Sequence, residues 1–549
     1  MTMTPLQIAV QYHQLTKHHF NRYARSLGYL DWATQPDPFR RFHGAPLIPL
    51  DFSKNAASPS YDDLFVPGAT QCQPVTLSTI SEFFEFSLAL SAWKQYQGSR
   101  WALRINPSSG NLHPTEGYLV MGPVEGLHDK PAVYHYAPKE HALERRTEFP
   151  IETWETLIGG YPKETFLVAL TSIHWREAWK YGERAYRYCQ HDVGHALAAL
   201  TISAALQGWT AQWLQSWSDA DLAALLGLDR VEDFANAEHE HPDLVLAITP
   251  EPRASARATI VPEPELSKDA LAEISRGRWR GRANRLSKDR VDWELIDAVA
   301  DACIKSRTTV AEADDTRATP LAPNRSPASA RQIIRQRRSA VAFDGATSIT
   351  AGQFYLMLDR VLPRADQIPW DALGSRVCIH LGLFVHRVDG LSPGLYFLVR
   401  DPAKLAELRA AMNPKFEWTK PSSCPNGLPL YLLTTGDARR VAGQVSCGQD
   451  IAADSAFSLG MIAEFAKPLS DHGAWFYRRL FWETGVIGQI LYLEAEAAEV
   501  RATGIGCFFD DPVHEMFGLR GTAYQSLYHF TVGGPVEDSR LTTLPPYPR

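Results

Sequence analysis

Two stretches decide how this chain is read: Arg337-Arg338-Ser339-Ala340-Val341-Ala342-Phe343 near its middle, and Arg104-Ile105-Asn106-Pro107-Ser108-Ser109-Gly110-Asn111-Leu112-His113-Pro114 far upstream. The first sets two guanidiniums and a hydroxyl at the start of a structured segment, a combination that offers a phosphate forked, charge-assisted hydrogen bonds. The second is a turn of small residues, which lets backbone N–H groups and short hydroxyls approach a flat polar ring. Neither half of the chain holds both. Alone, the Arg-Arg-Ser triplet also suits a solvated helix start. The Pro-Ser-Ser run is the more specific signal.

Working outward, one layout recurs in order. Val133–Tyr136 is strand-like and precedes an apolar helix from about Tyr181 to Gly208; Gly394–Val399 and a helix from about Tyr477 to Val500 repeat the scheme, ending in Gly504-Ile505-Gly506. Tyr186–Gly194 aligns with Tyr477–Gly485 without a gap. Ala196, Ala198, Ala199, Ala204 and Ala205 on the first helix, and Gly485 and Gly488 on the second, permit close helix approach, and nearly apolar circumferences predict burial on all sides. Mixed helices and short strands indicate an α+β class. The expected division is a domain over 1–250, a Pro-, Ala- and Arg-rich crossover linker over 251–327 with a helix near Asp292–Ile304, and a domain over 328–549. The linker reads as a long crossover that wraps one half and reaches the other; its basic run, Arg276 to Arg290, reads as a solvated connector or as lying on an acidic surface of its own fold, with docking of an acidic peptide leader as the alternative.

These motifs resemble the FMN-dependent nitroreductase fold, and within it the SagB/ThcOx-type dehydrogenases of azole-forming peptide biosynthesis. The resemblance extends over nearly all of both halves. In that family two copies of the fold exchange segments and flavins lie at their interface, the phosphate segment coming from one copy and the Pro-Ser-Ser turn from the other. The second half here has Arg337-Arg338-Ser339 but reads Ser375–Gly382 where the turn belongs. The first half has the turn but only Phe39-Arg40-Arg41-Phe42 at its start, without the serine. The resemblance therefore implies tandem nitroreductase-like domains forming an intramolecular pseudo-dimer, with one composite FMN site per chain and the symmetry-related site decayed.

The resemblance also implies roles. Arg337, Arg338 and Ser339 would hold the phosphate, with Arg540 of Asp538-Ser539-Arg540 completing the clamp. Pro107, Ser108, Ser109 and Asn111 would cover the ring, and Gly506 or Cys507 would present a backbone N–H at flavin N5. The family often has a basic residue two positions after the serine; Val341 stands here, so Arg104 or a helix N-terminus would supply the positive potential. Glu177-Ala178-Trp179-Lys180-Tyr181 resembles the family's Lys-Tyr pair, in which a partly desolvated amine acts as base and a phenol relays or donates. The gapless alignment sets Asp471 and His472 opposite Lys180 and Tyr181, so the pair exists once. Without the resemblance, a Lys-Tyr dipeptide on an amphipathic helix is ordinarily surface, and Cys507 an inert small core residue rather than a redox thiol.

Composition fits a multidomain globular enzyme: 549 residues, 45% hydrophobic and 21% charged, with a net charge of −7 that invites neither nucleic acid nor anionic membrane. Seven cysteines, with no C-x-x-C, do not describe a secreted disulfide framework, so a cytoplasmic setting is expected. The N-terminus lacks a signal-peptide pattern, and Gly194–Trp209 is too short to span a bilayer. Glu238-His239-Glu240-His241-Pro242-Asp243 looks like a metal cluster but reads as a solvated loop before a strand, and no metal is expected. No Rossmann or Walker glycine motif is present. The function expected is hydride transfer between a small-molecule or peptide substrate and FMN. An NAD(P)H-dependent nitro or quinone reductase and a flavin-binding scaffold in a peptide-modifying complex stay open, as does assembly as a monomer or a higher homo-oligomer.

Overall fold

The computed structural model describes residues 3–53, 58–251, 263–264, 266–309, 328–364, 366–374 and 376–548. Two antiparallel sheets dominate it. The first comprises β1 (Leu47–Pro49), β2 (Thr115–Met121), β3 (Ala132–Ala137), β4 (Ala142–Glu148), β5 (Phe166–Ser172), β6 (Thr210–Trp213) and β7 (His241–Thr249), in the order β1-β4-β3-β2-β5-β7-β6. The second comprises β8 (Ile379–Val385), β9 (Gly394–Leu398), β10 (Leu430–Thr435), β11 (Phe457–Glu464), β12 (Arg501–Ile505) and β13 (Tyr524–Gly533), in the order β10-β9-β8-β11-β13-β12. With the edge strand β1 set aside, the two orders are the same. The runs β5, β8 and β11 are buried along their whole length, as strands covered on both faces must be.

Between the sheets lie α2 (Ala185–Leu206) and α3 (Phe476–Ala497), each 22 residues long. Every residue of α2 is buried, and α3 is buried from Phe476 through Ala495, so the expectation from their small-residue, apolar circumference holds. They cross at Gly194 and Gly485, the positions that the gapless alignment makes equivalent. A methyl group on Gly485 would sit 2.8 Å from both Gly194 Cα and His195 N, and one on Gly194 would overlap the Trp482 carbonyl. Near the crossing, Tyr186 stacks on its own equivalent, Tyr477, at 6.5 Å and 5°, and the Trp482 indole N–H donates to Gln190 Oε1 at 2.7 Å.

Both chain ends cross between the halves. The N-terminal helix Pro5–Leu15, started by a Thr4 capping box, carries His13 to Gln525 (2.9 Å) and Tyr477 (3.2 Å). Thr542–Leu544 adds a third strand to the hairpin Leu90–Tyr96/Ser99–Arg104 of the first half.

In the stretch 266–302, Leu266, Leu271 and Ile274 join a core with Phe149, Trp154 and Leu222, and the helix Glu294–Ala302, with Ile296 and Val299 buried, packs on Pro5–Leu15. Its Arg276, Arg278, Arg282, Arg285, Lys288 and Arg290 are exposed. Residues 252–262, 265 and 310–327 of the linker lie outside the described residues. One expectation is revised: Glu238–Asp243 is not a solvated loop. Glu240 is fully buried, ion-paired with Arg40 at 3.0 Å and bonded by Tyr118 and Thr171, while Glu238 accepts from the Leu286 and Ser287 N–H groups. Alternating polarity reads as exposure only until distant partners are brought to it.

Candidate functional site

The Pro107–Asn111 turn is held by its own side chains. Gly110, Asn111 and His113 all take left-handed φ (59°, 60°, 52°), which costs the two non-glycine residues about 1–2 kcal/mol each. Fixed hydrogen bonds offset that strain: Asn111 Nδ2 donates to Ala102 O (2.8 Å), Asn111 Oδ1 meets His113 Nε2 (3.0 Å), and His113 N–H donates to Ser108 Oγ (2.8 Å). Asn111 is thus committed to the turn itself. Beneath it, Asp192 on α2 accepts from Ser109 N–H (3.1 Å) and Ser109 Oγ (3.2 Å).

Helix α1 (His174–Tyr181) brings the Lys-Tyr pair to this turn. It ends at Gly182, whose φ of 55° and close approach to Arg25 and Ser26 leave no room for a side chain. The pair consequently lies over Gly110, where an added Cβ would be 2.6 Å from Tyr181 Oη and 3.2 Å from Lys180 Nζ. Burial, with Glu177, Tyr188 and Asp192 nearby, holds the Tyr181 phenol well above its ordinary value, so it remains a donor. Glu177 is also buried. Desolvation, then the neighbouring Asp192, raises its carboxyl well above the usual range, and burial pushes Asp192 up to about 7. Two carboxyls able to retain protons near neutrality therefore lie behind the turn.

The second half supplies the opposite wall. Tyr188, whose ring is 4.5 Å from that of Tyr181, donates to Gly506 O at 3.1 Å, as does Arg184 Nη2 at 3.3 Å. A methyl group on Gly506 would overlap the Tyr188 ring, and one on Gly504 would overlap the Tyr528 hydroxyl. Gly504 N–H donates to Tyr492 Oη at 2.9 Å, and the same hydroxyl meets Ser339 Oγ at 2.9 Å. Arg337 is buried with its guanidinium 5.1 Å from the Tyr492 ring; Nη2 donates to Arg104 O at 2.9 Å, while Nε has no hydrogen-bond partner among the described residues. Turn, Lys-Tyr pair, Gly506, Ser339 and Arg337 thus form one tyrosine-lined surface drawn from both halves.

Three further candidates have other partners. The Arg104 guanidinium donates to Pro38 O and Thr115 O and lies near the Phe39 ring, with Nε unpartnered among the described residues; after burial, its charge helps to lower His113 of the turn, and its carbonyl accepts from Arg337. Arg338 is tied to the carbonyls of Arg335, Arg337 and Ser91. Arg540 is exposed, ion-paired with Asp538 at 2.7 Å and set over Tyr96, at the far end of its strand from Ser91; it does not complete a clamp with Arg337. Pro107 is buried at the head of the turn. Cys507 is half-buried, and its carbonyl accepts from Gln449. Sequence reasoning missed Tyr188, Asp192, Tyr492 and Tyr528. Asp192 alone left a signal, as an acidic residue in an otherwise apolar helix.

At the symmetry-related location the charged groups are paired within the protein. Glu483, which the gapless alignment places opposite Asp192, accepts from Cys378 N–H (3.1 Å) and Ile379 N–H (3.3 Å) and pairs with Arg400 and Arg479. Arg40, in the segment corresponding to Arg337-Arg338-Ser339, is consumed by Glu240.

Residues 71–236 match the model of the Nitroreductase family. Over 96% of its length the chain superposes on 99% of a protein of Anabaena variabilis described as a nitroreductase, with 21% identity and a TM-score of 0.69. The chain therefore has the nitroreductase fold, an α+β architecture built around central buried helices. Slighter likenesses are to a chain of the E. coli microcin synthetase McbBCD complex with truncated pro-MccB17 bound (21% identity, 36% of this chain and 70% of that one, TM-score 0.26) and to the NADPH:FMN oxidoreductase of Vibrio harveyi complexed with NAD+ (15% identity, 38% and 69%, TM-score 0.22). No curated protein matches the chain. Among the described residues no helix is long and apolar enough to cross a membrane, and no cluster of three or more His, Cys, Asp or Glu could hold a metal.

Proposed function

We propose that this chain is an FMN-dependent oxidoreductase, a tandem pseudo-dimer of nitroreductase-like domains over 1–250 and 328–549, that removes a proton and a hydride from a small-molecule or peptide substrate at one composite site. The observation that carries this reading is the convergence of Lys180 Nζ and Tyr181 Oη on Gly110 of the Pro-Ser-Ser turn, opposite Gly506 of the other half. The residues fit the cofactor: Arg337 has a buried N–H, unpartnered among the described residues, for an anion, and Ser339 a hydroxyl on the same Tyr492, while Gly506 packs against the Tyr188 ring. The paired charges at the symmetry-related location favour one flavin per chain.

Bound FMN would supply the two-electron acceptor for hydride. The chain's own groups do the rest. Arg337 and Ser339 anchor the anionic tail, and the strained turn with its Asp192 support fixes the ring-covering wall. Lys180 Nζ takes the substrate proton. Tyr181, kept protonated by burial, donates a hydrogen bond to the substrate and orients it.

The flavin-to-protein ratio from the absorbance spectrum tests the site: a value near one is expected, and a colourless protein that refuses FMN refutes it. Lys180→Ala should bind FMN normally yet lose at least about a hundredfold in rate, the usual scale for removing a general base. Unchanged turnover takes Lys180 out of the reaction, and rapid flavin bleaching by NADH or NADPH points to a nicotinamide-driven reductase instead.

A further inference from the structure

The sequence scatters its cysteines, but the fold brings two of them together at the wall of the proposed site. Cys447 lies in the turn after the helix Arg439–Val445, and Cys507 follows β12. Backbone and side-chain bonds clasp these segments on either side of the thiols: Phe509 N–H donates to Val445 O at 2.8 Å, and Gln449 Nε2 donates to both Cys507 O (3.0 Å) and Ser446 O (2.8 Å). Between the clasps the Cys447 and Cys507 thiols lie close enough for each to act on the other's ionisation. Both cysteines are half-buried and free, whereas Cys189, Cys303, Cys378 and Cys424 are buried. Cys447 has φ 56°, so its backbone is held in a strained conformation facing its partner. The covering residue is Tyr23, more than half exposed, whose ring packs on Phe509.

We propose that Cys447 and Cys507 form a reversible dithiol–disulfide switch that controls the Gly506–Cys507 wall of the site. Because the segments are clasped on both sides of the two thiols, only a local movement is needed to bring the sulfurs to the roughly 2.05 Å of a disulfide. Arg184 favours the thiolate form of both cysteines. One thiolate of the pair attacks a low-molecular-weight disulfide, forming a mixed disulfide and releasing one thiolate. The other cysteine then loses its proton and attacks the protein sulfur of that mixed disulfide, releasing the second thiol. Two protein thiols are oxidised and one small disulfide is reduced to two thiols. The cross-link tethers the segment whose N–H would face the flavin; disulfide formation needs no flavin, and only its effect on turnover rests on the function proposed above.

The test is incubation of the full chain in graded reduced and oxidised glutathione, quenching by alkylation, and non-reducing peptide mapping. Two of the seven cysteines are expected to become unalkylatable in a single linked peptide pair containing 447 and 507, reversibly with reductant. Cys447→Ser and Cys507→Ser should each abolish the link, and glutathione should stay trapped on the cysteine that remains. Full alkylation at every ratio, or a link between other cysteines, overturns the pair. If the link forms and FMN-loaded protein turns over equally fast when oxidised and when reduced, the switch is overturned while the disulfide stands. A protein that forms the link but takes up no FMN refutes the flavin reading separately.

Discussion

Gly110→Ala separates the structural cost of a substitution from its catalytic cost. The residue has φ 59°, where an alanine costs about 1–2 kcal/mol, so the melting temperature should move by only a few degrees. The new methyl would lie 2.6 Å from Tyr181 Oη and 3.2 Å from Lys180 Nζ, against the 3.4 Å at which ordinary contact begins. Both obstacles are the far ends of side chains. They can swing aside, so the fold survives while the phenol retreats by about 0.8 Å, and misplacement on that scale costs roughly a hundredfold in rate.

The assay has two arms. Thermal unfolding and flavin stoichiometry should resemble those of the parent protein; anaerobic bleaching of the bound flavin by a substrate that the parent protein oxidises should slow about a hundredfold. A folded, flavin-loaded Gly110→Ala protein that bleaches at the parental rate would show that Lys180 and Tyr181 have no positional role at this turn. Loss of flavin with the fold intact would show instead that Gly110 serves the ring directly.

Other perturbations probe the remaining supports. Gly485→Ala presses a methyl to within 2.8 Å of Gly194 Cα, backbone that cannot rotate away; separating two fully buried helices should cost about 3 kcal/mol or more, and a chemical-denaturation midpoint equal to the parent's would refute the tight crossing. Arg337→Ala should weaken FMN binding by about 1.5–3 kcal/mol, roughly 10- to 150-fold, measured by fluorescence titration of apoprotein; an unchanged affinity removes Arg337 from the phosphate site. Asp192, at about 7 in the fold against 3.8 when unfolded, holds a proton between those values that the unfolded chain has released. It therefore costs stability progressively as pH rises from about 4 to 7, on the order of 4 kcal/mol in all, and Asp192→Asn should flatten that part of the apoprotein's stability–pH curve. Parallel curves would count against the buried acid.

What the sequence disclosed and what it hid divide along physical lines. Local turn chemistry and helix circumference were legible: Pro107–Asn111 reads as a turn because its residues make it one, and the small residues of α2 and α3 announce burial. The gapless alignment even matched Gly194 with Gly485, which touch. Hidden were roles created by distant partners. Nothing local marks Tyr492 as the hydroxyl between Ser339 and Gly504, or Cys447 as the neighbour of Cys507. The same blindness misplaced Arg540, since a guanidinium's charge is visible in sequence but the carboxylate that pairs with it is not.

The two equivalent locations give that contrast a functional meaning. Asp192 and Glu483 occupy matching positions on matching helices, and each accepts backbone N–H groups from the segment leading into a central strand. Glu483 is neutralised by Arg400 and Arg479, so its surroundings are electrostatically complete and leave no demand for a ligand. Among the described residues Asp192 has no such arginine; Tyr188 stands where Arg479 does, and the carboxyl retains a proton instead. On the function proposed above, that exchange is one of the differences that would leave the first location open to a flat polar ring. Tyr188→Arg should close the composite site by pairing with Asp192, and a variant that still bound FMN with parental affinity would break this account of the asymmetry.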